Sequence, residues 1–316
     1  LLASSAASDV YKRQIERSGE MKKKIGFIGL GNMGLPIALN LCKNNFEVLV
    51  CSSNSESQKK IIEAGGGSIG SFQAMARICD VIITIVPADQ EILSLYQDEG
   101  ILLNANPGLV CIDMTTAKGT TKQAIARHIE HTGKNIQFID APVSGGVTGA
   151  EAGTLTIMVG CTDEQFEENK DIFQAVGKKI IHTGSVGSAS NVKMLNQMLN
   201  AANTAAAAEV LCMARKLGVD DKILLEVVNQ SSGASFVFEK NVPKYMMTGN
   251  YDQPGFKLGL MKKDVGLYID TVKEINGFGP VSALIYQLYQ AAVNEKVSDQ
   301  NYTYIYKWLE ENQESK

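Results

Sequence analysis

The sequence predicts an α/β fold: a doubly wound parallel sheet in the N-terminal half, an all-α C-terminal domain, and one long helix joining them. Three observations carry this reading. Short β-branched runs alternate with amphipathic, helix-length stretches as far as residue 184. Several of those runs are apolar throughout instead of alternating, as strands covered on both faces by helices must be. Beyond residue 184 the strand pattern stops, and the chain continues as amphipathic stretches broken by glycine and proline.

In order, the predicted strands are 23–29 (KKIGFIG), 46–51 (FEVLVC), 80–86 (DVIITIV), 109–114 (LVCIDM), 136–142 (IQFIDAP), 154–160 (TLTIMVG) and 178–184 (KKIIHTG). The long helix spans 188–217 and is closed by Gly218; its alanine-rich part, 201–210, contains Asn203, Thr204 and Glu209 and reads as a packed helix, not a membrane span. Further helices are predicted at 220–230, 236–247, 257–275 and 280–295, with breaks at Gly249, Pro254 and the GFGP of 277–280. The domains are therefore expected at 21–184 (nucleotide-binding) and 185–316 (helical, for substrate and self-association). Residues 1–20 are expected to be a non-native or disordered leader, because Met21 followed by KKKIGFIG reads as the start of the fold.

A chain of 316 residues, 45% hydrophobic and 20% charged, buries a large core without metals or disulfides. The net charge of −4 is spread without a basic stripe, which argues against a nucleic-acid partner, and no apolar run is long enough for a membrane span. The six scattered cysteines lack C-x-x-C spacing and mostly fall in apolar segments, so reduced, structural thiols and a cytoplasmic location are expected. His128 and His131 have the spacing of half a metal site, but no acidic or cysteine cluster completes it; no metal is expected.

Gly29-Leu30-Gly31-Asn32-Met33-Gly34 matches G-x-G-x-x-G between a strand and a helix, the context in which that motif binds a dinucleotide. Gly29 permits the turn, Gly31 lets backbone approach the pyrophosphate, and Gly34 lets helix and strand pack, with the helix N-terminus offering N–H donors. The second strand runs into Cys51-Ser52-Ser53-Asn54 where the adenine ribose is expected. No carboxylate is present to favour NAD; the small hydroxyls leave room for a 2′-phosphate, with Lys59 or Lys60 to help neutralise it, so NAD(P) is predicted with a lean to NADP(H).

Two segments carry the expected chemistry. In 140–156 the Ser144-Gly145-Gly146 step lets backbone N–H groups and a hydroxyl converge on an anion; otherwise it is simply a flexible loop. On the long helix, Lys193, Gln197, Asn200 and Thr204 form one polar stripe on an otherwise apolar surface. Unpaired buried polar groups are costly, so such a stripe must face a cleft, water or a ligand. A partly desolvated lysine there suits proton exchange with a substrate hydroxyl; in isolation, a lysine early in a helix would read as solvated. A third segment, 256–267, places Lys262, Lys263 and Asp264 at the start of an apolar helix, within reach of a cleft or as an ordinary surface pair.

Together these segments resemble the β-hydroxyacid dehydrogenase family, the 3-hydroxyisobutyrate dehydrogenase-like enzymes, over essentially the whole chain from Met21. The ordered motifs are GLGNMG (29–34), DAPVSGGVTGAEAGTLTIMVG (140–160), the GxxG…K helix (184–197) and KKDVGL (262–267). The resemblance implies NAD(P)-dependent, reversible oxidation of a short hydroxy-carboxylic acid. It makes Lys193 the catalytic lysine, assisted by Gln197 and Asn196, and has Ser144, Gly145 and Gly146 hold the substrate carboxylate. It places Val86, Pro87, Ala88, Thr116 and Lys263 along the cofactor, and it implies a dimer or tetramer. The segment 229–251 is most similar to the hydroxymethylglutarate and threonate branches. Two positions depart from the family: Gln197 replaces an asparagine, which bears on substrate identity, and Ala189 replaces a glycine. The competing readings are an imine or 6-phosphogluconate-type reductase, opposed by the lysine and the short chain, and a catalytically silent dinucleotide sensor, opposed by the intact motifs.

Overall fold

The computed structural model describes residues 23–98, 100–252 and 255–314. The leader at 1–20, the expected start at Met21 and the break at Pro254 lie outside the described residues. The N-terminal half is a sheet with helices on both faces. Its strands are β1 (Lys24–Ile28), β2 (Glu47–Val50), β3 (Gly67–Ser68), β4 (Val81–Thr84), β5 (Val110–Asp113), β6 (Gln137–Asp140), β7 (Val143–Ser144), β8 (Leu155–Gly160) and β9 (Gly177–Gly184). From β3 through β2, β1, β4 and β5 to β6 every pairing is parallel. The strand order reverses between β1 and β4, and the loops after those two strands diverge to open a crevice.

The expectation of a wholly parallel sheet is corrected at its far side. β8 runs antiparallel to β6, pairing Asp140 with Gly160, and β9 follows β8. The chain turns back through β7 and helix α6 (Gly146–Ala152), and β7 pairs antiparallel with β8 (Val143 with Ile157, Ser144 with Thr156), so β8 returns against the direction of β6. The two-residue strands β3 and β7 carry no periodic signal of their own.

Adjacent residues of the inner strands feed opposite cores. Ile83 and Ile112 pack with Ile37 and Leu41 of helix α1 (Gly34–Lys43), whereas Ile82 and Cys111 pack with Met75 of helix α3 (Phe72–Ile78) and Tyr96. Helix α2 (Ser55–Glu63) completes the first unit, and helices α4 (Asp89–Leu93) and α5 (Gly119–His131) follow β4 and β5. Helices α7 (Asp163–Glu168) and α8 (Lys170–Val176) connect β8 to β9.

The long helix α9 (Ser188–Lys216) begins four residues after β9 and runs into the helical part, made of α10 (Asp221–Asn229), a π-helical segment (Val237–Met246), α11 (Leu258–Glu274), α12 (Pro280–Asn294) and α13 (Ile305–Glu314). Its second core gathers Ala201, Ala205, Ala208 and Leu211 of α9 against Val242, Met261, Tyr289 and Tyr306. Two features differ from expectation. The segment expected as an ordinary helix at 236–247 is widened, with Met247 N–H bonded to Val242 O five residues back, and Pro243 lies inside it and gives no N–H to the ladder. Helix α13 is additional: its apolar residues crowd into its first half and complete too few periods to be seen in sequence. Among the described residues no helix is long and apolar enough to cross a membrane.

Candidate active site

The turn after β1 is built on glycine for steric reasons. Gly29 has φ of 100°, and a Cβ on it would stand 2.0 Å from Ile85 O; a Cβ on Gly34 would stand 1.7 Å from Gly29 O. Gly31 is different: a Cβ there would meet no protein atom within 4 Å, so the space above it is open. Leu30 is buried, Asn32 is exposed, and Met33 packs against the first core. Beside this turn lies a cleft of about 360 Å³ whose lining includes Gly29, Leu30, Ser52, Ser53 and Val86, a volume within the range of small-molecule sites. Phe72, Glu91 and Leu95 also line it; the sequence reading did not single them out. Lys59 and Lys60, expected near the ribose end, stand beside Glu63 (3.8 Å) and Glu56 (2.8 Å) on the exposed side of α2.

Across the crevice mouth, Val86 N–H donates to Thr115 Oγ1 (3.0 Å), and Ala88 caps α4. Lys263, from α11, donates to the carbonyls of Pro87 and Thr116, both at 3.1 Å. The loops expected along the cofactor are thus tied to the helical part by one side chain. The Ser144–Gly146 step lies at the end of β7, with Gly146 in the left-handed region (φ 63°) as the first residue of α6. The first N–H groups of a helix have no acceptor within it, so this turn presents donors. Among the described residues no hydrogen bond joins it to Lys193; β8, which pairs with β7 and packs on α9, relates the two.

Lys193 is 6% exposed, one turn into α9. Its Nζ donates to Gln197 Oε1 (3.0 Å), and Gln197 Nε2 donates to Asp264 Oδ2 (2.7 Å). Asp264, 1% exposed, forms an ion pair at 3.0 Å with Lys263. Asn196 is exposed, and its Nδ2 donates to Gln197 Oε1 at 3.3 Å. Burial lowers the Lys193 ammonium from its ordinary value to about 8; the Asp264 carboxylate opposes the shift and the Lys263 ammonium adds to it. The remainder of the stripe is inward as expected, but it packs instead of lining a cleft: Thr204 donates to Asn200 O, and Asn200 Oδ1 accepts from Tyr302.

A second polar cluster escaped the sequence reading. Lys122 on α5 is wholly buried, within hydrogen-bond reach of Asp113 and 3.6 Å from Asp140, which are also wholly buried and end neighbouring strands β5 and β6. Asp113 also accepts from Thr84 Oγ1 and from Thr115 N–H (2.9 Å). Asp140 accepts from Gly187 N–H (3.2 Å), Ser190 N–H (2.8 Å) and Ser190 Oγ (2.7 Å). Burial pushes the Asp140 carboxyl up, against the pull of Lys122 and Ser190. The sequence did hold a signal: Lys122 shares a helix face with Ile125 and Ile129, both buried.

Comparison with known proteins places this geometry. The model of the NAD-binding domain of 6-phosphogluconate dehydrogenase matches residues 24–184, and that for the NAD-binding domain of NADP-dependent 3-hydroxyisobutyrate dehydrogenase matches residues 187–309. The chain is 35% identical over 272 residues to 2-(hydroxymethyl)glutarate dehydrogenase of Eubacterium barkeri, covering 86% of this chain and 89% of that protein. The chain belongs to the 3-hydroxyisobutyrate dehydrogenase-like β-hydroxyacid dehydrogenases. The mitochondrial 3-hydroxyisobutyrate dehydrogenase of Mus musculus is 32% identical over 302 residues (93% and 89% covered). The Mycobacterium tuberculosis 3-hydroxyisobutyrate dehydrogenase structure with L-serine superposes with a TM-score of 0.84 at 29% identity, covering 92% of this chain and 99% of that one.

This β-hydroxyacid dehydrogenase is an NAD(P)-dependent oxidoreductase that acts reversibly on the CH–OH group of a hydroxy acid. The residues present fit a dinucleotide. The turn at Gly29–Gly34 is stripped of side-chain volume where backbone meets backbone, and at Gly31 it is left open where no protein atom needs the room.

Proposed function

We propose that the substrate is a short 3-hydroxy carboxylic acid and that Lys193 exchanges its hydroxyl proton. The observation that carries this reading is a buried amine on α9 whose pKa burial lowers to about 8, steadied by Gln197 and linked through Gln197, Asp264 and Lys263 to the loops after β4 and β5. A general acid–base works best with a pKa close to the working pH. When bound, the nicotinamide accepts the hydride in one direction and supplies it in the other. In oxidation the neutral Lys193 Nζ takes the hydroxyl proton and holds it as an ammonium, which the Asp264 carboxylate favours. In reduction the same ammonium returns the proton to the carbonyl oxygen. The amides of the Gly145–Gly146 turn and the Ser144 hydroxyl bind the substrate carboxylate, turning the carbinol carbon toward the coenzyme. A 3-hydroxy acid suits this division, because its carboxylate and its reacting carbon are separate handles. The 2-(hydroxymethyl)glutarate and 3-hydroxyisobutyrate named for the relatives share that arrangement.

On this reading Gly29 to Gly34, Ser52, Ser53, Val86 to Ala88, Thr116 and Lys263 hold the coenzyme. NADP(H) is preferred, because the cleft offers Ser52 and Ser53 without an acid at the second strand's end. The exposed Lys59 and Lys60 pairs are weak enough to exchange for a phosphate. The two parts meeting between Gly184 and Ser188 serve as cofactor domain and substrate domain. The exposed Leu195, Leu199 and Met213 on α9, with Leu217 at its C-cap, support self-association as a dimer or tetramer, and the six free cysteines support a cytoplasmic location.

The deciding experiment is Lys193→Ala, assayed with both coenzymes against 3-hydroxyisobutyrate, L-serine, hydroxymethylglutarate and threonate. Turnover falls by at least about 10², while NAD(P)H affinity, read by fluorescence titration, stays within a few-fold. A fully active variant refutes the assignment.

A further inference from the structure

Each carboxylate in the buried Lys122–Asp113–Asp140 cluster is bonded to a different part of the active site. Asp113 receives Thr115 N–H, and Thr115 Oγ1 in turn accepts from Val86 N–H; so the β4 and β5 loops, which also receive Lys263, take their shape from this carboxylate. Asp140 receives Gly187 and Ser190 N–H and Ser190 Oγ, which makes it the cap of α9. Helix α9 has none of its own, since its N-cap residue is Gly187. Lys193 follows Ser190 by one turn. Two buried carboxylates on adjacent strand ends repel, and the ammonium between them is Lys122.

We infer that Lys122 is a positioning residue: by holding Asp113 and Asp140 together it registers the helix that carries Lys193 against the loops that carry the coenzyme. The inference rests on the role proposed above for Lys193. Lys122 itself touches neither reactant. A few tenths of an ångström at the α9 cap pass directly to Nζ, because a helix is stiff over one turn, and proton transfer is steep in distance.

The test is Lys122→Met, close in volume and uncharged, measured on the full chain with kcat, substrate KM, NAD(P)H dissociation constant and melting temperature. The expected result is a fall in kcat of at least about 10-fold with KM and coenzyme affinity within about 3-fold. The double variant Lys122→Met/Asp140→Asn recovers at least half of that loss on a logarithmic scale. The new amide oxygen still accepts from Gly187 and Ser190 N–H, its NH₂ donates to Ser190 Oγ, and the repulsion between two carboxylates that Lys122 neutralised is gone. Ser190→Ala, which removes one hydrogen bond and leaves all three charges, lowers kcat by about 3-fold and gives the answer if Lys122→Met does not fold.

Unchanged kcat in folded Lys122→Met overturns the inference. So does a fall of kcat, coenzyme affinity and melting temperature together without recovery in the double variant, because that is loss of fold. If Lys122→Met does not fold, an unchanged Ser190→Ala overturns it. Lys193→Ala measured alongside separates the two proposals: if it is active, the Lys193 assignment fails, whatever the cluster does.

Discussion

Lys193 stands between two polar clusters built in opposite ways. On the sheet side, Lys122, Asp113 and Asp140 are wholly buried, and all four carboxylate oxygens have donors. On the helical side, Gln197 and Asp264 lead outward to Lys263, which stays partly open to solvent and grips two loop carbonyls. The sheet-side charges are absent from the causes that shift the Lys193 amine, whereas Asp264 and Lys263 are both among them. The difference suggests a division of labour: the closed cluster fixes where the amine is, and the open one sets how readily it carries a proton.

The residue common to both sides gives the largest expected effect. Lys193→Met lowers kcat by at least about 10² and also stabilises the fold. The ammonium is the disfavoured form in the folded protein, so its penalty is complete below pH 8. It shrinks as pH rises from 8 towards the ordinary lysine value and vanishes above it. Removing it gains about 3 kcal/mol at neutral pH as an upper figure. Calorimetry at pH 7 and at pH 10.5 checks this, and an equal gain at both values breaks the argument.

Next in size is Gln197→Asn, which keeps the amide but shortens its reach. The bridge from Nζ to Asp264, 3.0 Å and 2.7 Å in the native protein, is interrupted. We expect kcat lower by about 5-fold, roughly 1 kcal/mol, with a change in preference among the hydroxy acids above.

The proposed division is sharpened by pH–rate profiles. For the native enzyme, kcat/KM for oxidation rises with pH and levels above about 8, because the neutral amine is the base; for reduction it is level below about 8 and falls above. Asp264→Asn removes the charge that raises the amine's pKa and moves both limbs to lower pH. Lys263→Met removes the charge that lowers it and moves them to higher pH. Ser190→Ala leaves the limbs in place while reducing the plateau. A shift of the limbs in Ser190→Ala ends the distinction between the clusters.

The smallest effect is expected at Lys118→Ala. Its Nζ meets Glu274 at 2.7 Å and links the sheet part to α11, but the pair is partly exposed. A change of under about 1 kcal/mol in stability and no change in the profiles are expected from thermal melts and rate assays. A large loss would show that the domain seam, and not the two clusters, governs the site.

Much of this was legible in advance because the signals are local. The strand runs, the glycine turn at 29–34 and the stripe headed by Lys193 and Gln197 are set by spacing along one element. The bond between Gln197 and Asp264 was not, since 67 residues separate its partners. Asp264 stood beside Lys262 and Lys263 in a segment equally readable as an ordinary surface pair. Lys122 was hidden for a related reason: in α5, among Thr120, Thr121 and Gln123, a charged side chain reads as solvated unless its place on the Ile125–Ile129 face is weighed. The reversed direction of β8 turns on its antiparallel pairings with β6 and β7, a property of the sheet as a whole.

By itself the sequence determined the two-part α/β and all-α layout, the dinucleotide turn and the choice of a lysine as the candidate proton carrier. Each of these follows from periodicity and from which residue types a backbone geometry admits. Only the tertiary structure decided that the lysine is buried and bridged through Gln197 to Asp264, with its pKa near 8, and that a second lysine, Lys122, lies between two carboxylates under the helix cap. Solvent exclusion and charge proximity are properties of folded space. They depend on residues brought together from β5, β6, α5, α9 and α11, and no spacing along the chain encodes those distances.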